Sequence, residues 1–284
     1  VKIGLIKLDG KHPNLALEKL RVYYNAEYIT PIQAYNYDRV YCSSIFTFTD
    51  KSYVQPDWIC GGTGFDLTTE LPKEIETIHP HINWGVTTRG CIRKCWFCVA
   101  WKKEGNIRVI ADLYDIWDGK SKNVVFIDNN ILAVPEHFIK VCSQAQKENI
   151  KIDFNQGLDI RLLTKELAQV MKDTRMVAYR FAFDSMGIKD IVVSGIEILK
   201  SVGINFPDLY VFAGPKTSFD DALSRLNILR ELKARPYLMR HEDVKGDRKY
   251  ISLARWANQR HLFAAKTWEE FLEYEKKYKP TKTT

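Results

Sequence analysis

Nine residues, Gly90-Cys91-Ile92-Arg93-Lys94-Cys95-Trp96-Phe97-Cys98, hold half of the chain's six cysteines at C-x3-C-x2-C spacing, with an aromatic just before the third. Three thiolates on one tight loop can ligate three irons of a [4Fe–4S] cluster and leave the fourth iron without a protein ligand, whereas electron-transfer clusters take four thiolates. An iron left open in this way can bind a substrate or cofactor directly. Other uses of the thiols compete with this one. A zinc site takes four Cys or His ligands, and His79 or His81 would complete a Cys3His set, although both precede the strand whose far end carries the cysteines. A redox pair of Cys95 and Cys98 would leave Cys91 idle and lacks thioredoxin-like surroundings. Cys42 and Cys142 stand in apolar stretches and read as buried thiols, while Cys60 precedes a glycine pair. This is no disulfide framework, and no second cysteine group near the C-terminus suggests an auxiliary cluster.

The elements that must position this loop are legible from residue 82 onward. Short apolar runs at 82–88, 123–128, 151–155, 178–184, 209–213 and 236–240 are bounded by turn residues, as expected of parallel strands buried on both faces. Helical patterns lie between them. Pro135 opens one, Thr164 caps 165–172, 188–202 ends at Gly203, and Ser218 with Asp221 resembles a capping box ahead of 222–233. Six strands with intervening helices predict an α/β fold built on a partial (β/α)6, TIM-barrel-like barrel, with chemistry at the C-terminal strand ends. The cysteine loop follows the first of these strands.

Ahead of the barrel, residues 1–78 predict a small α/β unit: strand 2–7, helix 15–25, and strands near 38–42 and 58–60. The run Gly61-Gly62-Thr63-Gly64 has no amphipathic helix behind it and reads as a turn, not a dinucleotide fingerprint. Residues 79–242 are assigned to the barrel and 243–284 to C-terminal helices at 250–260 and 268–278, the second with a Thr267/Glu270 capping box, ending in a frayed tail. The net charge of +7 resides in 225–284, which carries 15 Lys/Arg against 8 Asp/Glu. Such a surplus suits a solvated helix surface or contact with an anion such as nucleic acid. No apolar run reaches the roughly 18 residues of a membrane span. Val1-Lys2-Ile3-Gly4-Leu5-Ile6 reads as a strand too short for a secretory signal, so the cytoplasm is the expected compartment.

Thr87-Thr88-Arg89-Gly90-Cys91, the thiol spacing and the order of the strands resemble the radical S-adenosylmethionine (SAM) superfamily over residues 82–242, in its methylthiotransferase-like and cobalamin-domain branch. The resemblance implies a [4Fe–4S] cluster on Cys91, Cys95 and Cys98, with SAM chelated at the open iron. Reduction would cleave SAM to a 5′-deoxyadenosyl radical that takes hydrogen from a substrate the sequence does not name. It implies a one-electron donor such as flavodoxin or ferredoxin as partner. It further implies that Phe97 packs near the adenine. Asp128 and Asn129, at the second strand's end, would accept from the SAM ammonium. Gln156, Asp159 and Arg161 would face SAM and substrate, and Asp184, with Ser185 in reserve, would bind the ribose hydroxyls. A glycine-containing segment at 211–215 would support the adenine, and Arg240 and His241 would face the substrate.

The N-terminal unit resembles a degenerate flavodoxin/cobalamin-binding-like domain, but Asp9-Gly10-Lys11-His12-Pro13-Asn14 departs from the lower-ligand motif D-x-H-x-x-G, so cobalamin is not expected. The extra cysteines and RNA-binding domain of tRNA methylthiotransferases are also missing from the sequence. Two alternatives stand beside this reading. One is a nucleic-acid (tRNA-type) modifying radical SAM enzyme that uses the basic C-terminal region with Trp256, Arg260, Trp268 and Tyr274. The other is a non-catalytic zinc-binding module.

Overall fold

A computed structural model describes residues 1–11 and 13–278. His12, part of the departed cobalamin motif, and the tail 279–284, expected to fray, lie outside the described residues. The chain divides into two compact units, Val1–Ser121 and Lys122–Thr284. The segments 1–78, 79–242 and 243–284 expected from the sequence cut it differently.

The first unit opens with β1 (Ile3–Lys7), α1 (Leu15–Tyr24), β2 (Glu27–Tyr28), β3 (Arg39–Ser43) and β4 (Ile59–Gly61). Their strands form one parallel sheet in the order β2-β1-β3-β4. β1 is apolar from Ile3 to Ile6, where it is covered on both faces. Ile6 packs with Val40, Cys42 and Trp58, and Ile3 and Leu5 pack with Leu17 and Leu20 of α1 and with Ile75. The Asn14 side chain caps α1 by accepting from the Leu17 N–H at 3.2 Å. The run 61–64 is a turn, with Gly62 at φ +96° and the Gly64 N–H donating to the Ser44 carbonyl at 2.9 Å.

The rest of this unit comprises α2 (Lys73–Glu76), β5 (Trp84–Gly85), β6 (Thr88–Arg89), α3 (Ala100–Glu104), β7 (Arg108–Val109) and α4 (Leu113–Ile116). The single strand expected at 82–88 is here two short ones. β6 pairs antiparallel with β7, Thr88 opposite Val109 and Arg89 opposite Arg108. The pairing takes Thr88 and Arg89 into a two-stranded ribbon, so the cysteine loop and α3 form the connection of that ribbon.

In the second unit, strands and helices alternate: β8 (Asn123–Phe126), α5 (Pro135–Lys147), β9 (Lys151–Phe154), α6 (Lys165–Asp173), β10 (Arg180–Ala182), α7 (Lys189–Ser201), β11 (Asp208–Ala213), α8 (Phe219–Glu231) and β12 (Arg235–Arg240). β8 pairs with β9, and β10 with β11 and β11 with β12, all parallel. Parallel bridges at Ile152–Met176 and Leu158–Phe181 join the two groups. Chain order is therefore spatial order, and five C-terminal strand ends share one edge. Val124, Phe126, Ile152, Phe181, Leu209 and Val211 are wholly buried, and each contributes about 1.5–3 kcal/mol by leaving water. Thr164 caps α6, accepting from Leu167 N–H at 3.2 Å. Ser218 caps α8, accepting from Asp221 N–H at 3.0 Å. Gly203, at φ +87°, follows α7 as expected.

The chain then runs through α9 (Glu242–Lys245), α10 (Arg248–Asn258), α11 (Arg260–Ala265) and α12 (Trp268–Tyr278). Thr267 and Glu270 form the expected capping box, donating and accepting at 2.7 and 3.2 Å. Trp256 is fully buried against Phe263 and Trp268, and Trp268 stacks on Phe271. Two of the aromatics expected to meet bases are thus the core of this helical layer. Among the described residues, no helix is long and apolar enough to cross a membrane.

Candidate functional site

Gly90 starts the cysteine loop at φ +83°, a conformation that L side chains rarely adopt. A Cβ there would lie 2.3 Å from the Asn106 carbonyl oxygen, so the loop's two ends approach too closely for any other residue. Glu104 clamps this entrance, accepting from the Gly90 N–H at 3.0 Å and from Arg89 Nη1 at 2.7 Å. Arg89 Nη2 reaches Glu76 Oε1 at 3.1 Å, and the buried Lys19 ammonium meets the same oxygen at 3.2 Å. Lys19, Glu76, Arg89 and Glu104 therefore alternate in charge from α1 to the loop. None of these four was legible as a loop support, because they are brought together from positions up to 85 residues apart.

Inside the loop, the Cys91 N–H donates to the Gly105 carbonyl and the Cys98 N–H to the Cys95 carbonyl, both at 3.1 Å. Trp101 Nε1 donates to that same Cys95 carbonyl at 3.0 Å, and the Arg93 N–H points to Cys91 Sγ at 3.3 Å. Phe97 is half-buried, with its ring edge-on to the exposed Trp96 at 5.5 Å. All six cysteines are thiols, the three of the loop half-buried and Cys42 and Cys142 buried. Burial pushes the Cys42 and Cys142 thiols up to about 12, which keeps them protonated and poor metal ligands. Among the described residues, no three Cys, His, Asp or Glu side chains converge as a single metal ion needs. His81 turns Nδ1 to the Trp117 carbonyl at 3.1 Å.

In the second unit, polar groups collect at the shared strand edge. Asp128 and Asn130 after β8 are buried, and Asn129 between them is half-buried. After β9, Gly157 turns the chain at φ +88°, leaving Gln156 exposed and returning Asp159 to the edge. Asp159 takes Arg161 Nε at 2.6 Å and Nη2 at 3.1 Å, and the Asn130 side-chain amide at 3.4 Å. The structure thus joins Asp159 and Arg161 to Asn130, the last residue of the polar run 128–130 that ends the second expected strand.

Asp184 follows β10 and accepts from the Phe212 N–H at 3.2 Å. Desolvation pushes its carboxyl up to about 6, against the opposing pull of Arg225, the Phe212 N–H and Arg161, with the Asp159 charge adding to the rise. Arg225 is wholly buried and donates to the Phe183 and Phe212 carbonyls at 2.7 and 2.9 Å while pairing with Asp221. It is a positive charge placed beneath the ends of β10 and β11. The Asp221/Arg225 spacing marks a helix-surface pair, but nothing in the sequence reveals its burial.

Other expected residues have local tasks. Ser185 is exposed, and its hydroxyl accepts from the Gly187 N–H at 3.1 Å. Arg240 Nη1 donates to the Lys245 carbonyl at 2.6 Å. His241 caps α9, its Nδ1 accepting from the Asp243 N–H at 3.3 Å, with its ring edge-on to Phe212 at 5.9 Å. Gly214 is required between them, since a Cβ there would lie 2.7 Å from the Phe212 ring and 3.0 Å from His241 Cβ. No protein-family model and no curated protein matches the chain.

Proposed function

We propose that the chain is a radical SAM enzyme whose second unit is part of a (β/α)6-type barrel. One observation carries the reading: three thiols at C-x3-C-x2-C spacing occupy a loop whose backbone is pinned at Gly90, Cys91, Cys95 and Cys98. The donor set fits the group. Thiolates are the soft ligands that iron–sulfur clusters take, one to each iron, and such a set need not converge on one point as a zinc site must. When bound, a [4Fe–4S] cluster with one open iron supplies the electron that cleaves SAM into methionine and a 5′-deoxyadenosyl radical.

The chain's own residues bind and orient. Cys91, Cys95 and Cys98 hold the cluster, and Arg93 and Lys94 offset the negative charge the thiolates gather. Phe97 offers an apolar ring edge for the adenine. Asp128 and Asn129 accept from the SAM ammonium. The Asp159–Arg161 pair and Gln156 present polar groups to the SAM carboxylate and the substrate. Asp184 accepts from ribose hydroxyls, with Ser185 beside it, and Arg240 and His241 border the substrate. The sequential parallel strands favour this arrangement, since they bring Asp128, Asp159, Asp184 and His241 to one edge. A flavodoxin- or ferredoxin-like protein would donate the electron.

The test is chemical. Anaerobically reconstituted protein given SAM and dithionite is expected to release 5′-deoxyadenosine and methionine in equal amounts. SAM left intact beside a fully assembled cluster would overturn the reading.

A further inference from the structure

A cavity of the second unit, about 540 Å³, lies at the opposite edge of the sheet from Asp128 and Asp184. It opens where β11 and β12 begin, and β11 is six residues long, which separates the two edges by about 20 Å. Its volume is within the roughly 300–1,000 Å³ of small-ligand sites. Its lining is unusual in charge: Arg230, Lys233, Arg235 and Arg260 surround an apolar wall that includes Phe206 and Phe263.

The cations are unevenly spent. Arg235 pairs with Asp208 at 2.9 Å, and Arg260 reaches the same carboxylate only at 3.5 Å while 69% exposed. Arg230 donates Nε to the Phe263 carbonyl at 3.1 Å and lines the cavity. Lys233 donates its backbone N–H to the Arg230 carbonyl at 3.0 Å, and its ammonium has no hydrogen-bond or ion-pair partner among the described residues. Asp208 thus meets two of the four cations, Arg235 and Arg260. Phe206 beside them is 58% exposed, an uncovered ring at the mouth of a positively charged pocket.

We infer that this pocket binds a nucleotide, its phosphate held by Lys233, Arg230 and Arg260 and its base set against Phe206. Guanidinium and ammonium donors match phosphate oxygens, and a base stacks on an aromatic ring whatever its identity. The nucleotide is either a free mononucleotide or one unit of a single strand, since both present the same phosphate and base. The pocket serves this role whether or not the thiol loop carries a cluster. It also gives the basic C-terminal region a place to act that does not use the buried Trp256 and Trp268.

The test uses the full chain with three probes: inorganic phosphate, AMP, and a fluorescein-labelled single-stranded RNA. AMP is expected to bind at least about tenfold more tightly than phosphate, the contribution of one stacked base. Lys233→Gln and Arg260→Gln are each expected to weaken AMP about tenfold. Phe206→Ala, at an exposed position that leaves folding intact, should bring AMP down to the level of phosphate. RNA binding that AMP displaces, with a steep salt dependence, identifies a strand unit, and AMP binding without RNA binding identifies a free nucleotide. Absence of both at millimolar concentration, or binding that all three variants leave unchanged while their melting curves match the parent, overturns the inference.

Discussion

Arg161 grips the carboxylate of Asp159 with both arms, Nε to Oδ1 at 2.6 Å and Nη2 to Oδ2 at 3.1 Å. The same carboxylate receives Asn130 from the end of β8, so the pair ties two strand ends together. A ligand arriving at this edge meets an oriented dipole, not a bare cation. A lysine cannot reproduce the two-pronged geometry. Arg161→Lys and Arg161→Ala are therefore expected to weaken SAM binding alike, by about tenfold. Each should change the unfolding free energy by only about 1 kcal/mol, because the guanidinium sits at the partly exposed rim. Equilibrium dialysis with labelled SAM checks this, and parental affinity in Arg161→Lys would show that the fork is not used.

Gly90→Ala tests the loop entrance. The substitution forces a Cβ to 2.3 Å from the Asn106 carbonyl at a left-handed φ, strain on the order of 1–3 kcal/mol. The backbone must move, and Cys91 moves with it. A lower melting temperature together with reduced iron uptake during reconstitution is expected. A melting temperature lowered while iron uptake stays at the parental level would mean the loop adapts without its clamp.

Arg225 supports the strand ends through two carbonyls and Asp221 while fully buried. Arg225→Met leaves the carbonyls unmatched and the Asp221 charge uncompensated, a cost of about 3–5 kcal/mol. It also removes the charge that does most to lower the Asp184 carboxyl, so Asp184 should titrate above about 6. Urea unfolding reads the first effect, and the carbon-13 shift of the Asp184 carboxyl against pH reads the second.

Asp184 itself gives stability a pH dependence with a definite sign. Its folded-state value is raised from 3.8 to about 6 by desolvation. Folding thus favours the protonated form, and the contribution is full below the unfolded value and lost as pH rises through about 6. The loss is about 3 kcal/mol. Asp184→Asn does not titrate, so its stability relative to the parent should improve by most of that amount between pH 4 and pH 7. A constant difference across this range in urea titrations would place the carboxylate in a better-solvated setting.

The alternating strands and helices from 123 to 240 were legible because each strand is apolar enough for burial on both faces and each helix carries its own stop or cap, such as Thr164 or Gly203. The same local chemistry exposed the Thr267/Glu270 box. The split of the expected first strand was not legible. Its residues are apolar and polar in the right places for one strand, and only pairing of Thr88 and Arg89 with Arg108 and Val109 reveals two. The bracing of the thiol loop escaped for a related reason, since Lys19, Glu76, Arg89 and Glu104 look like surface charges until the fold brings them into one line. Trp256 and Trp268 misled in the opposite direction: aromatics among cations suggested a base-stacking surface, whereas helical spacing places both in the core.

The claim that the thiol loop leaves one iron open is tested most directly by electron paramagnetic resonance of the reduced, reconstituted protein with and without SAM. The account predicts about four irons and four sulfides per chain, a signal lost in Cys95→Ala but kept in Cys142→Ala, and a change in that signal when SAM is added. A chain that takes up zinc and assembles no cluster, or a cluster whose signal is indifferent to SAM, would contradict it.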